Sequence, residues 1–183
     1  MTILHIDSSI TGEASASRAI SRSILDRLLV QDPQASVITR DLVADPLPHL
    51  TLASFNDSEV LDEFLGADTI VIGAPMYNFT LPTQLKAWLD RILIAGKTFR
   101  YTADGPEGLA KGKRVIIGLA RGGIYDAGSP AAALEHLESY LRGVFNFIGI
   151  EPEFVAADGL NISAEQREES IRQALGETVR LAA

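Results

Sequence analysis

Asp68-Thr69-Ile70-Val71-Ile72-Gly73-Ala74 decides the fold. Its apolar residues run on without the alternation of a half-exposed strand. The segment therefore predicts a strand covered on both faces, as in the middle of a parallel sheet. Arg114-Val115-Ile116-Ile117-Gly118-Leu119-Ala120 repeats the pattern. Outward from these two, Thr2 to Asp7 reads as a first strand, Ala35 to Arg40 as a short second and Glu151 to Ala157 as a fifth.

Helix-period segments separate the strands. Ser17 to Val30 carries one stripe of Ile20, Ile24, Leu25, Leu28 and Leu29, and Asp32-Pro33 stops it. Asp57 to Leu65 is a shorter helix, with Asn56 or Asp57 as its cap. Pro82 to Ile94 starts on a proline, which suits a first turn, and turns Leu85, Trp88, Leu89 and Ile92 inward. Ala131 to Ile148 is expected to be one helix with Leu134, Leu137 and Leu141 inward. A capping box, Ser163 to Gln166, opens a last helix that ends near Leu181. Two stretches are expected to be irregular: Asp41 to Thr51, with Pro46 and Pro48, and Thr98 to Ala110, with Asp104-Gly105-Pro106.

Alternating strands and helices with apolar central strands make an α/β fold. Five strands fit a flavodoxin-like winding: a five-stranded parallel sheet of order 2-1-3-4-5 with helices on both faces, and ligands beyond the carboxyl ends of the strands. Neither repeats nor a linker divide the chain, so residues 1–183 are expected to form a single domain. The formal net charge of −8 and the absence of a basic run argue against nucleic acid and anionic membranes. Without cysteine there is no disulfide, thiolate zinc site or thiol catalysis. His5, His49 and His136 have no metal-ligand spacing, so no metal is expected. Asp7 is expected to brace a loop. Neither a leader peptide nor a membrane span is visible, which makes the cytoplasm the expected compartment.

Function should lie in the loops at the carboxyl ends. After the first strand, Ser8 to Ser17 is rich in hydroxyls and feeds a helix N-terminus, where amides and the helix dipole favour an anion. It matches neither GxGxxG nor GxxxxGK[ST], so a monoester phosphate fits better than a dinucleotide or ATP. The alternative is that Ser15 or Ser17 only caps the helix. After the third strand, Met76-Tyr77-Asn78-Phe79 between Pro75 and Pro82 offers a shelf for a flat ring, with Asn78 for its polar edge. The alternative there is a turn with its aromatics folded into the core. After the fourth strand, Ala120-Arg121-Gly122-Gly123 offers bare N–H groups and one positive charge, unless it is only a turn. Together the three loops make the equipment of an FMN site. No G-x-S-x-G elbow is present, and no catalytic acid or base is needed, because the flavin carries the redox chemistry.

At these loops the sequence resembles the FMN-dependent NAD(P)H azoreductases, relatives of the NAD(P)H quinone reductases. The resemblance rests on Ala74-Pro75-Met76-Tyr77-Asn78-Phe79, Thr98-Phe99-Arg100-Tyr101-Thr102 with Gly105-Pro106-Glu107-Gly108-Leu109, Arg121-Gly122-Gly123, and Phe147-Ile148-Gly149-Ile150. It runs from residue 1 to about the end of the last helix. It implies tightly bound FMN and ping-pong transfer of two electrons from NADH or NADPH to quinones or azo compounds. It implies phosphate binding by Ser9, Ser15, Ala16 and Ser17, a ring bordered by Met76 to Phe79, and a pyrimidine edge at Ala120 to Gly123. It further implies a homodimer with FMN at the subunit interface and a substrate pocket lined by Tyr101, Tyr125 and Phe147. Two departures stand out. Leu50 to Leu65 is shorter than in the best-known members, and Tyr125 stands where some members have a histidine. A flavodoxin-type electron carrier and a non-enzymatic flavin-binding module are the alternatives on the same fold.

Overall fold

The computed structural model describes residues 1–56 and 58–181. Its strands are β1 (Thr2–Asp7), β2 (Ser36–Asp41), β3 (Thr69–Pro75), β4 (Phe99–Thr102), β5 (Gly105–Gly108), β6 (Arg114–Ala120) and β7 (Glu153–Ala157). Its helices are α1 (Ala16–Gln31), α2 (Glu59–Gly66), α3 (Thr83–Ile92), α4 (Glu138–Phe147) and α5 (Ala164–Leu181). Five strands form one parallel sheet in the order β2-β1-β3-β6-β7, which is the expected winding once the hairpin strands are counted.

Alternation along β3 explains its unbroken apolar sequence. Ile70, Ile72 and Ala74 pack in one core with Phe64, Leu85, Trp88 and Phe145 from α2, α3 and α4. Val71 packs in the other with Ile20, Ile24 and Ala174 from α1 and α5. Both faces are thus covered, and each fully buried isoleucine or leucine contributes roughly 1.5–3 kcal/mol.

Two glycines set how closely α1 approaches. Gly73 and Gly118 lie side by side in register. A Cβ on Gly73 would stand 2.6 Å from Asp7 Oδ1 and 3.1 Å from the Ser17 carbonyl oxygen, and one on Gly118 would stand 2.8 Å from Ile20 Cγ2. Bare backbone there lets α1 lie against the sheet, with its first turn over the carboxyl edge of the strands.

Three expectations need correction. Thr98 to Ala110 is not irregular, because β4 and β5 form an antiparallel hairpin. Gly105, Pro106 and Gly108 are poor strand residues. Pro106 is tolerated in a two-stranded ribbon, where it pairs with Tyr101. The Thr102 hydroxyl fastens the turn, donating to the Gly105 carbonyl at 2.8 Å and accepting from the Asp104 N–H at 3.2 Å.

The expected helix from Ala131 to Ile148 is broken. A 3-10 turn, Ala132–Leu134, precedes α4, and Glu135 between them is extended. The Glu135 carboxylate takes the N–H groups of Leu137, Glu138 and Ser139 at 2.8–3.0 Å and so caps α4. Leu134 is exposed rather than inward, whereas Leu137 and Leu141 are fully buried.

At α5, half of the capping box forms. Ser163 Oγ accepts from the Gln166 N–H at 3.1 Å, but the Gln166 side chain bonds Ser170 instead of returning to the cap. The cap expected for α2 from Asn56 or Asp57 rests on side chains outside the described residues.

Candidate functional site

Loops after β1, β3, β6 and β7 meet at the carboxyl edge of the sheet. They enclose a crevice of about 390 Å³ whose walls include Ser9, Ser15, Ala16, Met76, Tyr77, Ala120 and Gly122. Through Met76, Gly122 and Asn161 it adjoins a second lobe of about 250 Å³, bordered by Asn78, Phe79, Gly123 and Tyr125. The three loops singled out from the sequence therefore converge on one place.

At one end stands the N-terminus of α1. Ser15 caps it, Oγ accepting from the Arg18 N–H at 3.2 Å. The amides of Ala16 and Ser17 lie in the first turn, where no intrahelical acceptor is available, and they meet no other among the described residues. Ser17 is fully buried, its hydroxyl lies 3.1 Å from Ser15 Oγ, and it stands behind the wall of the crevice rather than in it. Ser9 Oγ sits 3.0 Å from Thr11 Oγ1 and 3.2 Å from the Tyr77 hydroxyl. That hydroxyl also accepts from the Ile10 N–H at 3.0 Å, tying the β1 and β3 loops together.

Arg18 holds this loop from behind. Its guanidinium donates to the Ser9 carbonyl at 2.9 Å and grips Asp41 at 2.8 and 2.9 Å. Beneath the loop, buried Asp7 accepts from Ser21 Oγ at 2.9 Å and so braces α1. Burial raises the pKa of Asp7 and lowers that of its neighbour His5.

The Arg18 hydrogen bonds hold Asp41 down to about 2 from an ordinary 3.8. A depressed carboxylate stabilises the fold fully above the higher value, and the effect is lost as pH falls through the lower. Urea midpoints of the wild type are therefore expected to fall more steeply than those of Asp41→Asn between pH ~4 and ~2. Parallel curves would contradict this coupling.

The segment after β3, expected as a ring shelf, is a strained two-residue turn. Tyr77 and Thr80 exchange backbone hydrogen bonds of 2.9 and 3.2 Å around Asn78 (φ 48°) and Phe79 (φ 73°). Two positive φ values suit Asn-Gly, and a phenylalanine there is an outlier. The segment before α4 clasps it, because the His136 N–H donates to the Phe79 carbonyl and Thr80 Oγ1 to the His136 carbonyl. Phe79 is left 43% exposed, edge-on to Tyr125 with ring centroids 6.5 Å apart. Phe79→Gly is expected to raise stability by ~1 kcal/mol by releasing that strain, while slowing turnover. Thermal melts beside activity assays check this; a melt that falls would contradict the strain.

After β6 the peptide units are oriented by β7's loop. The carbonyls of Arg121, Gly122 and Gly123 accept from the N–H groups of Leu160, Asn161 and Gly159 at 2.9–3.1 Å. In trans peptides the N–H groups of Gly122 and Gly123 then point away from that loop, and neither meets an acceptor among the described residues. They form a bare donor rim.

Arg121 departs from expectation. Its side chain leaves the crevice and is buried against Asp158 (2.5 and 2.9 Å), Glu138 (3.3 Å) and Glu135 (3.6 Å). Its N–H is spent on the Ala157 carbonyl. The positive charge expected beside a ring is therefore neutralised below the rim.

A profile of the flavodoxin-like fold family matches residues 1–181. The chain belongs to that family.

Among its flavodoxin-like relatives, the FMN-dependent NADH:quinone oxidoreductase 2 of Bradyrhizobium diazoefficiens is 52% identical, over 96% of both chains. The FMN-dependent NADH:quinone oxidoreductase of Sinorhizobium fredii is also 52% identical, over 95% of this chain and 93% of its own. Among solved structures, the azoreductase AzrA superposes with a TM-score of 0.91 at 29% identity, covering 100% of this chain and 99% of that one. An FMN-dependent NADH-azoreductase from Bacillus anthracis, in complex with FMN, gives 0.85 at 26% identity, with full coverage of both chains.

The crevice lies beyond the carboxyl ends of the strands, and the loop after β7 borders it too. It supplies Leu160 and Asn161 to the wall, and α5 adds Arg167. The signal was positional: Gly159-Leu160-Asn161 directly follows the fifth strand. Tyr101 and Phe147 do not join the crevice of their own chain. With Phe99, Leu93, Tyr140 and Val144 they line a separate apolar groove of about 500 Å³. Phe99 bridges them, 5.6 Å from the Tyr101 ring and 4.7 Å from that of Phe147.

Proposed function

We propose that this chain binds FMN in the crevice and passes two electrons from NADH or NADPH to quinones or azo compounds. The observation that carries the proposal is convergence. An amide-and-hydroxyl anion nest at α1, an aromatic and methionine shelf after β3, and a donor rim at Gly122–Gly123 share one cavity. The relatives named above as FMN-dependent NADH:quinone oxidoreductases support the same reading.

The donor chemistry fits the three parts of FMN. Ser9, Ser15 and the Ala16 amide suit the phosphate, with Ser17 packed behind them. Met76, Tyr77 and Phe79 suit the faces of a planar ring, and Asn78 with the Gly122 and Gly123 N–H groups suits its heteroatom edge. FMN, when bound, supplies the capacity to take a hydride from the nicotinamide and deliver it to an acceptor. The residues orient the rings, exclude water and present N–H dipoles to the electron-rich edge. Ala120 contributes a small wall that leaves room for the ring.

The apolar groove of Tyr101 and Phe147 fits a second copy of the chain, so that a cytoplasmic homodimer brings these rings to the partner's crevice. Phe147→Ala is then expected to change the ratio of kcat/KM between a quinone and an azo dye several-fold while FMN affinity holds. Unchanged acceptor ratios would contradict that placement.

Steady-state NADH oxidation tests the function. It should require both FMN and an acceptor and give parallel double-reciprocal lines, as ping-pong exchange at one site demands. Absence of acceptor-dependent turnover would contradict the enzymatic reading.

A further inference from the structure

Arg18, the basic residue nearest the nest in sequence, is turned away from it. Its guanidinium is committed to Asp41 and the Ser9 carbonyl, and it borders a different hollow, with His5, Asp7 and Arg22. The chain carries a net −8, so a phosphate dianion entering the crevice meets an unfavourable overall field. A local cation would offset that field.

One is present. Arg167, in the first turn of α5, is the basic residue among the described lining of the crevice. It reaches 153 positions back along the chain and donates one N–H to the Ala14 carbonyl at 3.0 Å, beside the cap residue Ser15. A guanidinium carries five N–H donors in a fixed fork. The others meet no acceptor among the described residues. The Ala14 bond holds the fork at the phosphate end of the crevice, half-buried and already ordered.

From this placement we infer that Arg167 is a phosphate-recognising residue that selects FMN over flavins lacking the phosphate. This rests on the FMN reading of the crevice. Arg167 closes the nest from α5, opposite the α1 amides, and supplies charge-assisted hydrogen bonds that hydroxyls and backbone cannot. Riboflavin shares the ring but has no phosphate, so Arg167 contributes nothing to its binding.

Titrations of FMN and riboflavin into flavin-free protein, followed by fluorescence quenching, test this. In Arg167→Ala the Kd for FMN is expected to rise about tenfold, with that for riboflavin unchanged. Arg167→Lys, which keeps a point charge without the fork, should fall between wild type and Arg167→Ala. An unchanged FMN affinity would overturn the inference. So would an equal loss for both flavins, which would make Arg167 only a tie between α5 and the loop. Wild-type protein that binds neither flavin would overturn the FMN reading itself, a result distinct from either.

Discussion

Arg121→Met is expected to cost about 3 kcal/mol of stability and to weaken FMN binding. Arg121 is buried and sits within 3.6 Å of three carboxylates, those of Asp158, Glu138 and Glu135. Methionine keeps much of the volume but takes the cation from Glu135 and Asp158 and leaves Glu138 with Arg142 alone. Removing one member of a buried ion pair typically costs ~3–5 kcal/mol, and the partial exposure of Glu138 and Asp158 places this case at the lower end. The effect reaches the crevice because Gly122 and Gly123 follow directly, and the Asp158 loop orients their peptides.

The pH dependence separates this from a packing defect. In the wild type, burial raises the Glu135 pKa, but the backbone N–H bonds from Ser139, Glu138 and Leu137 outweigh it, so the carboxyl lies below its ordinary value. In the variant, loss of the neighbouring cation pushes the Glu135 carboxyl up. The stability deficit is therefore expected to be full at neutral pH and to shrink as pH falls through the carboxylate range. Urea denaturation at neutral and acid pH checks it; a deficit independent of pH would point to packing alone.

Gly73→Ala is expected to cost about 2 kcal/mol and to reduce FMN affinity more than tenfold. The added methyl has no room, since it would press on Asp7, Ser21 and the Ser17 backbone within 3.1 Å. Relief requires the Asp7 carboxylate to turn aside and α1 to shift away from the Ser17 carbonyl contact, and that shift carries Ser15, Ala16 and Ser17 with it. Gly176→Ala, in α5 with open space around its Cβ, is the control and should stabilise slightly. Equal FMN affinity in Gly73→Ala and wild type would show that the nest tolerates movement of its helix.

The sheet was legible because β3 and β6 are buried on both faces, which leaves an unmistakable apolar run. The hairpin was not, because β4 and β5 draw on Gly105, Pro106 and Gly108 and are held by a side-chain-fastened turn and by contact with the end of α4. The break before α4 was hidden for a similar reason: a glutamate, not a Ser, Thr or Asp, caps the helix.

Met76 to Phe79 and Gly122–Gly123 border the crevice and its lobe, the place that residue type and strand-end position give them. Arg121 misled because its charge was visible in the sequence while its three partners, from two distant segments, were not. Arg167 was missed for the converse reason. Nothing local marks a helical arginine as part of a crevice formed 153 residues away.

The most direct measurement is anaerobic spectroscopy of the FMN-loaded protein. One flavin per chain should bind, its visible band should bleach on adding NADH or NADPH, and one equivalent of quinone should restore it. Failure to bind FMN, or a flavin that stays oxidised with both nucleotides as in an electron carrier, would contradict the account.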